Sequence, residues 1–209
     1  MRIFFLFYIL FAITCFSGEA TGRDPSWAQA VELPVLKNFY QVDDFLYRSA
    51  QPSEEAFVAL ADFGIKTVLS LRAEFDESAI VEAAGLKSIT IRMSAWYIKD
   101  EDIVAALQIM QKASKDNPLL VHCLHGADRT GVVIAAYRII IQNWEKEKAI
   151  EEMRKGGYGH HIIFANITDY LQKLDTQKIK NEMKIKENRN MPENDAKKMK
   201  NENDNEERK

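Results

Sequence analysis

Two residues six positions apart, Cys123 and Arg129, are the strongest candidates for chemistry in this sequence. They stand in the segment LLVHCLHGADRTG (119–131), where one apolar run leads into the cysteine and another follows Thr130. A cysteine used only for packing is expected inside a helix or strand, as a small hydrophobic side chain. This one stands between a predicted strand and a predicted helix, where backbone N–H groups lack partners and can bind an anion.

The loop between these two residues has the composition of a phosphate-binding site. Its successive N–H groups can converge on one anion, and the planar guanidinium of Arg129 can hold two phosphate oxygens. The same positive surroundings favour the thiolate form of Cys123, which is the nucleophilic form. A thiolate beside a bound phosphate ester predicts attack at phosphorus and a cysteinyl-phosphate intermediate that water hydrolyses. This chemistry requires no cofactor and no metal, and the sequence offers no convincing metal-binding cluster.

Strands and helices alternate around this loop. Buried strands are predicted in IKTVLSLR (65–72), KSITIR (87–92) and NPLLVHC (117–123), and two shorter strands on either side of Asp43 and Asp44. Helices are predicted near 52–64, 76–85, 100–114, 130–142, 145–154 and 161–174. The alternation predicts an α/β fold with a central, mainly parallel sheet flanked by helices. The phosphate-binding loop is expected between the last core strand and a helix.

The two ends of the chain differ from this middle part. Arg2, the apolar run 3–16 and the small residues after it predict a signal peptide over 1–20, and therefore a periplasmic or secreted protein. The run is shorter than the roughly 20 residues of a transmembrane helix. We expect no stable membrane insertion after cleavage, and a membrane anchor is the alternative if the segment is retained. A lead-in is predicted over 21–37, and a charged, disordered tail over 176–209 because few apolar residues there can be buried.

Composition narrows the classes of function. A chain of 209 residues with 46% hydrophobic residues suffices for one ordinary domain, and a net charge of -3 gives no sign of a nucleic-acid binder. We expect a monomer whose partner is a phosphorylated protein or a small phosphate ester. The other cysteine, Cys15, lies in the predicted signal peptide. Cys123 would then be an unpaired thiol in an oxidising compartment, which favours a chemical role.

The loop resembles the signature of the cysteine-dependent protein tyrosine phosphatase superfamily, in which His-Cys is followed by five residues, Arg, and Ser or Thr. His122, Cys123, Arg129 and Thr130 match it in full. The segment FLYRSAQPS (45–53), with the helix and strand predicted after it, is similar to compact dual-specificity-like phosphatases, including bacterial members. The likeness covers about residues 38–174 and implies a small α/β phosphatase domain over 38–175.

The resemblance implies a role for each residue of the loop. Cys123 is expected to be the nucleophile, Arg129 the phosphate clamp, and Thr130 a hydroxyl donor to the sulfur. His122 is expected to support the loop from behind. The backbone cradle for the phosphate is expected from Leu124, His125, Gly126, Ala127 and Asp128. The implied activity is phosphoric monoester hydrolysis, by a protein tyrosine or dual-specificity phosphatase.

The general acid departs from the family pattern. The resemblance implies an aspartate about thirty residues before the cysteine, but the segment 87–93 contains no carboxylate. Asp128 resembles the loop aspartate of phosphatases with a DRT sequence, and we predict that it is the acid. Asp100 and Asp102 remain alternatives, although Asp100 also suits the N-cap of a helix.

Several neighbouring residues each have two possible roles. Arg48 either pins the N-terminal hairpin to the phosphate loop or belongs to a structural ion pair, which we favour. His160 and His161 either line the pocket or belong to a turn that caps the following helix through Gly159 and His160, and no catalytic role is assigned to either histidine. Trp96 and Tyr97 either contact the substrate or are ordinary core or rim aromatics.

Other functions stay open. Inositol, lipid or other small phosphate esters are alternative substrates, although Ala127 stands where many lipid phosphatases carry lysine. A non-catalytic phosphate-binding module is disfavoured because both the nucleophile Cys123 and the clamp Arg129 are present. Sulfur transfer would not need the Arg-Thr pair, and arsenate reduction needs further thiols.

Overall fold

The computed structural model describes residues 23–189, and six strands in this range form one sheet. The strands are β1 (Gln29–Ala30), β2 (Tyr40–Gln41), β3 (Leu46–Ser49), β4 (Thr67–Ser70), β5 (Lys87–Thr90) and β6 (Leu119–His122). Their order across the sheet is β1-β2-β3-β6-β4-β5. The pairs β3/β6, β6/β4 and β4/β5 are parallel, whereas β1 and β2 add a short antiparallel edge. The prediction of a mainly parallel sheet is confirmed.

Helices cover both faces of this sheet. They are α1 (Glu54–Phe63), α2 (Ser78–Ala83), α3 (Asp100–Met110), α4 (Asp128–Ile140), α5 (Lys146–Lys155), α6 (Ala165–Lys173) and α7 (Thr176–Arg189). Alternate residues of the central strand β6 point to opposite faces, as in any strand. Leu119 and Val121 join the core under α3–α7, and Leu120 joins the smaller core under α1 and α2. The sheet is therefore buried on both sides, which explains the continuous apolar runs of its strands.

The strand register brings three loops to one place. Ser49 of β3, His122 of β6 and Ser70 of β4 lie side by side at the carboxyl ends of their parallel strands. The loops that follow these residues therefore leave the sheet at the same edge. In open α/β sheets this edge is the usual place for a ligand.

The predicted boundaries of the domain are too narrow at both ends. In the predicted lead-in, Trp27 and Ala28 are buried, and the Ala28 backbone N–H donates to Glu152 at 2.7 Å. In the predicted tail, residues 176–189 form helix α7, and Ile179 and Met183 are buried. Two apolar residues four positions apart give a narrow stripe that suffices for packing, because α3 and α4 supply the rest of the core. The predicted signal peptide and the rest of the tail lie outside the described residues.

The predicted start of α3 is confirmed, whereas its predicted cap and the predicted start of α6 are wrong. Helix α3 begins at Asp100 with Lys99 in the cap position, so Asp100 is not the N-cap. Helix α6 begins at Ala165 after a short 3-10 turn, so Gly159 and His160 do not cap it. None of the helices in the described part of the chain is both long and apolar enough to cross a membrane.

Candidate active site

The loop over residues 122–131, called the floor below, has its carbonyl groups turned away from the cavity. The carbonyl of Leu124 accepts from the Gln51 N–H at 3.2 Å. The carbonyl of His125 accepts from Asn38 Nδ2 at 2.9 Å, and that of Gly126 from Arg48 Nη2 at 2.7 Å. In a trans peptide the N–H points opposite to the C=O. The three N–H groups in the same peptide units therefore point away from the segment 38–51 that holds the carbonyls.

Gly126 is required where the floor crosses strand β3. Its φ of +69° lies in the left-handed region, and a Cβ there would come within 2.3 Å of the Ser49 carbonyl oxygen. Backbone atoms cannot move aside as a flexible side chain can, so only glycine fits both the conformation and the contact.

Cys123 and Arg129 open into one cavity of about 280 Å³ at this edge of the sheet. The cavity is lined by Ala95, Cys123, Leu124, His125, Asp128, Arg129, His161, Ile163 and Phe164. Arg129 Nη1 has only long contacts, 3.4 Å to Glu74 Oε2 and 3.5 Å to the Leu71 carbonyl. Since Glu74 is exposed, this pair is weak, and a phosphate can take over the guanidinium.

Two buried pairs support the floor from below. His122 Nε2 lies 2.7 Å from Glu77 Oε1, and both side chains are almost fully buried. Burial works to raise the pKa of Glu77, but His122 outweighs it and holds the pKa below its ordinary value. His122 and Glu77 thus form a buried pair, and the support that His122 gives to the loop stays a prediction.

Arg48 is the second buried support, and it is bound to the floor rather than to a carboxylate. Its guanidinium carbon lies 3.6 Å from the centroid of the Tyr158 ring, and Nη2 donates to the Gly126 carbonyl. Burial lowers the pKa of Arg48, whereas Tyr158, Glu152 and Cys123 act in the opposite sense. Arg48 therefore pins the N-terminal hairpin to the loop, the reading that we did not favour from sequence, and it places a cation near the nucleophile.

The hydroxyl of Thr130 is fully buried. Among the described residues no hydrogen-bond partner satisfies its Oγ1 atom. A bond from this hydroxyl to the Cys123 sulfur stays a prediction, since an unsatisfied buried donor at this position is available to a developing thiolate.

Asp128 is held by residues of the segment that follows α5. Its Oδ1 accepts from the His161 backbone N–H at 2.9 Å and lies 3.0 Å from His160 Nδ1. Its Oδ2 lies 2.7 Å from His161 Nδ1. Burial works to raise the pKa of Asp128, but the donors on His160 and His161 outweigh it and keep the pKa below its ordinary value.

Donor atoms of His125, Asp128 and His161 lie within 4.8 Å of one another. Both oxygens of Asp128 already contact an imidazole nitrogen, so hydrogen bonding alone accounts for this group. We assign no metal to it. His161 lines the cavity, which is one of the two interpretations left open from sequence, but its contact with Asp128 was not predicted because 31 residues lie between Arg129 and His161.

The alternative acids lie elsewhere. Asp100 accepts from Tyr170 Oη at 2.8 Å and from Lys178 Nζ at 2.6 Å, which ties α3 to α6 and α7. Neither Asp100 nor Asp102 lines the cavity. The segment that precedes α3 reaches the cavity through Ala95, and Asn166 holds it there by donating to the Ala95 and Trp96 carbonyls.

Exposed apolar side chains occur in the two segments, 95–97 and 161–164, that contribute residues to the cavity wall. Trp96, Tyr97, Ile162 and Ile163 are 63%, 68%, 88% and 65% exposed, and together they are called the rim below. The rim continues into the cavity wall through Phe164, whose ring packs against Trp96 with centroids 4.7 Å apart. Exposed apolar groups that cluster around a cavity mark a binding surface. The aromatic residues predicted from sequence are therefore rim residues.

Comparisons with known proteins agree with this architecture. Residues 33–193 match the model of the tyrosine phosphatase family. The chain is 35% identical over 156 residues to the dual specificity protein phosphatase TpbA of Pseudomonas aeruginosa (strain UCBPP-PA14), which covers 75% of this chain and 70% of that protein. The crystal structure of a P. aeruginosa TpbA variant in complex with pTyr is 33% identical, with a TM-score of 0.68, and the match covers 77% of this chain and 98% of that one.

A more distant relative is the core catalytic domain of the PP-IP phosphatase SIW14 from S. cerevisiae, whose crystal structure contains citrate. It is 26% identical, with a TM-score of 0.63, over 75% of this chain and 96% of that one. The segment matched by the family model includes the whole floor.

Proposed function

The chain belongs to the tyrosine phosphatase family, and we propose that it hydrolyses phosphotyrosine in polypeptides through a cysteinyl-phosphate on Cys123. The observation that carries this proposal is the orientation of the floor. Three carbonyls of the loop are each held by a residue of the segment 38–51, so that the three N–H groups of the same peptide units point away from that segment, and Cys123 and Arg129 of the same loop share one cavity. Such an array of fixed dipoles stabilises the charge of a phosphoryl group without reorganisation.

The geometry supports a two-step reaction. Cys123 Sγ attacks phosphorus in line with the leaving oxygen while the floor amides and Arg129 hold the other three oxygens. The bond from phosphorus to the leaving oxygen breaks, and that oxygen takes up a proton. Water then attacks the phosphocysteine, and the thiolate leaves with inorganic phosphate as product.

The charge of the cavity favours a substrate with one phosphate. Among the described residues that line it, Arg129 carries the only permanent positive charge. Phosphotyrosine presents a single phosphate on an apolar ring, which suits the apolar wall of Ile163 and Phe164. The rim then lies where residues on either side of the phosphotyrosine would pass, so we propose that apolar flanking residues are preferred.

A second candidate substrate comes from the resemblance to SIW14, a PP-IP phosphatase. Highly phosphorylated inositols need several cations, and this cavity offers Arg129 with two histidines that are charged only when protonated. The cavity therefore favours the phosphotyrosine reading.

We also propose that the protein is exported and acts as a monomer. Export rests on Arg2 and the apolar run 3–16. Detection of the mature chain in a periplasmic or culture fraction, with a new N-terminus near residue 21, tests this proposal.

The test of the function compares the wild-type protein with Cys123→Ser on a phosphotyrosine peptide and on an inositol pyrophosphate. We expect turnover of the peptide by the wild type, none by Cys123→Ser, and phosphate binding by both proteins in calorimetry. Turnover of the inositol pyrophosphate alone would overturn the substrate, and hydrolysis by Cys123→Ser above background would overturn the nucleophile.

A further inference from the structure

We propose that His161, and not Asp128, protonates the leaving oxygen, and that Asp128 positions the imidazole. This inference rests on the proposed function and assigns a catalytic residue to a part of the chain that the phosphatase signature does not include. Asp128 is the carboxylate that the sequence analysis predicts as the acid, so its contacts bear directly on this assignment.

Asp128 has the surroundings of a permanent acceptor. Its two oxygens face the His161 backbone N–H at 2.9 Å, the His161 ring nitrogen at 2.7 Å and the His160 ring nitrogen at 3.0 Å. Each of these contacts stabilises the ionised carboxylate. A general acid must carry a proton before the reaction, and a carboxylate surrounded by donors gives up its proton early. Asp128 is therefore poorly suited to hold that proton.

His161 has the complementary arrangement. The backbone N–H and the ring Nδ1 of His161 both contact the Asp128 carboxylate. These two contacts fix the orientation of the imidazole ring. The Nδ1 atom is turned to Asp128, so Nε2 lies on the other side of the ring. The ring lines the same cavity as Cys123 and Arg129 and is 47% exposed, so a substrate can reach it.

Charged and titratable groups face His161 from several elements. Asp128 of α4 contacts the ring directly, Arg129 lies in the same cavity, and the ring centroids of His125 and His161 are 5.3 Å apart. His160 contacts the other oxygen of Asp128, and the uncharged ring of Phe164 lies beside His161. Imidazole is the side chain whose proton exchanges between pH 5 and 8.

The proton can then be followed through both steps. As the Cys123 thiolate bonds to phosphorus and the bond to the leaving oxygen breaks, His161 Nε2–H gives its proton to that oxygen and the ring becomes neutral. In the second step the neutral Nε2 takes a proton from the attacking water, the phosphorus–sulfur bond breaks, and Cys123 returns as thiolate. The imidazolium is restored and inorganic phosphate leaves.

The leaving group provides the test, because a general acid matters most when the leaving oxygen is strongly basic. Wild type, His161→Gln and the matched control His160→Gln are compared on phenyl phosphate, a poor leaving group, and 4-nitrophenyl phosphate, a good one. We expect His161→Gln to lose about 100-fold in kcat on phenyl phosphate and far less on 4-nitrophenyl phosphate. The alkaline limb of its kcat profile should also flatten. His160 contacts the same carboxylate without lining the cavity, so His160→Gln should lower both rates by a similar, small factor.

A second variant guards against a loss caused by altered structure. In His161→Ala, added imidazole should restore turnover of phenyl phosphate, and Asp128→Asn should not be rescued in this way. Equal losses of His161→Gln on the two substrates, or a leaving-group dependence that appears only in Asp128→Asn, would overturn the proposal. Failure of the proposed function gives a different result, since the wild type would then be inert on both esters.

Discussion

The floor and the rim of the cavity are built in opposite ways. The floor is mostly buried apart from Leu124 and His125, it is bound at three successive carbonyls, and Gly126 has no room for a side chain. The rim consists of four side chains that are all more than 60% exposed and belong to two separate segments of the chain. The chemical step, which is common to all substrates, therefore depends on the floor. The selection among substrates depends on the rim.

His161 lies at the junction of these two regions. It follows the glycine-containing turn after α5, immediately precedes the rim residue Ile162, and is tied to the floor through Asp128. Changes to the floor should affect every substrate alike, whereas changes to the rim should affect only substrates that extend beyond the phosphorylated ring.

The largest effect is expected from Gly126→Ala in the floor. A methyl group there meets the Ser49 carbonyl oxygen at 2.3 Å and forces the loop away from β3. Several amide donors then lose their alignment, so we expect kcat to fall about 1000-fold on all esters. The matched control is Gly85→Ala, which also has a positive φ but open space around the added methyl group. Similar activities of the two variants would show that the contact with β3 does not control the site.

Glu77→Gln tests the buried support of the floor. We expect a loss of about 3 kcal/mol in the free energy of unfolding at pH 7, because a buried pair loses one partner. The pKa of Glu77 is lowered in the folded state, so its contribution is present above the ordinary value of 4.5 and is lost as the pH falls through the folded value. Urea unfolding at pH 7 and below pH 4.5 should show the gap between wild type and variant closing in acid. A gap that widens in acid would contradict this assignment.

Arg48→Met tests the cation below the loop. We expect Arg48→Met to slow the alkylation of Cys123 by iodoacetamide about tenfold, because the variant removes the buried cation near the sulfur. Arg138→Met serves as control, because Arg138 is equally buried but pairs with Glu152. Equal alkylation rates in the wild type and Arg48→Met would reduce Arg48 to a structural role.

The smallest effect is expected at the rim. Ile162→Ser should lower kcat/KM about threefold for a phosphotyrosine peptide with apolar flanking residues. The effect is small because the peptide would cover only part of the exposed side chain, so less than half of the free energy of full burial is lost. Turnover of 4-nitrophenyl phosphate should not change. Val58→Ser removes an exposed apolar side chain from α1, away from the cavity, and should change neither rate. Better turnover of acidic than of apolar peptides by the wild type would contradict the proposed flanking preference.

The difference between the floor and the rim also explains what the sequence could predict. The nucleophile, the clamp and the cradle occupy seven consecutive residues, 123–129, and the strand and helix that carry them have clear apolar patterns. Arg48 and Asn38 reach the floor only because β3 pairs with β6, so their contacts depend on a sheet order that the sequence does not state.

The partner of Asp128 was missed for the same reason. His161 is brought to the loop by the packing of α5 and α6 against α4, and the signal in the sequence was only two histidines after a glycine-rich turn. Helix α7 was missed because propensity and charge describe a segment alone, whereas Ile179 and Met183 are buried by neighbours. In both cases the deciding contacts join residues far apart in the chain.

The most direct test of the central claim is to quench the reaction of the wild-type protein with a phosphotyrosine peptide in acid and to locate the phosphoryl group by peptide mass spectrometry. We predict one phosphoryl group on the peptide that contains Cys123, appearing within the first turnover and absent from Cys123→Ser. A phosphoryl group on another residue of the protein would contradict catalysis through Cys123. So would steady turnover with no phosphoryl group on the protein, even at a low temperature that slows hydrolysis of the phosphocysteine.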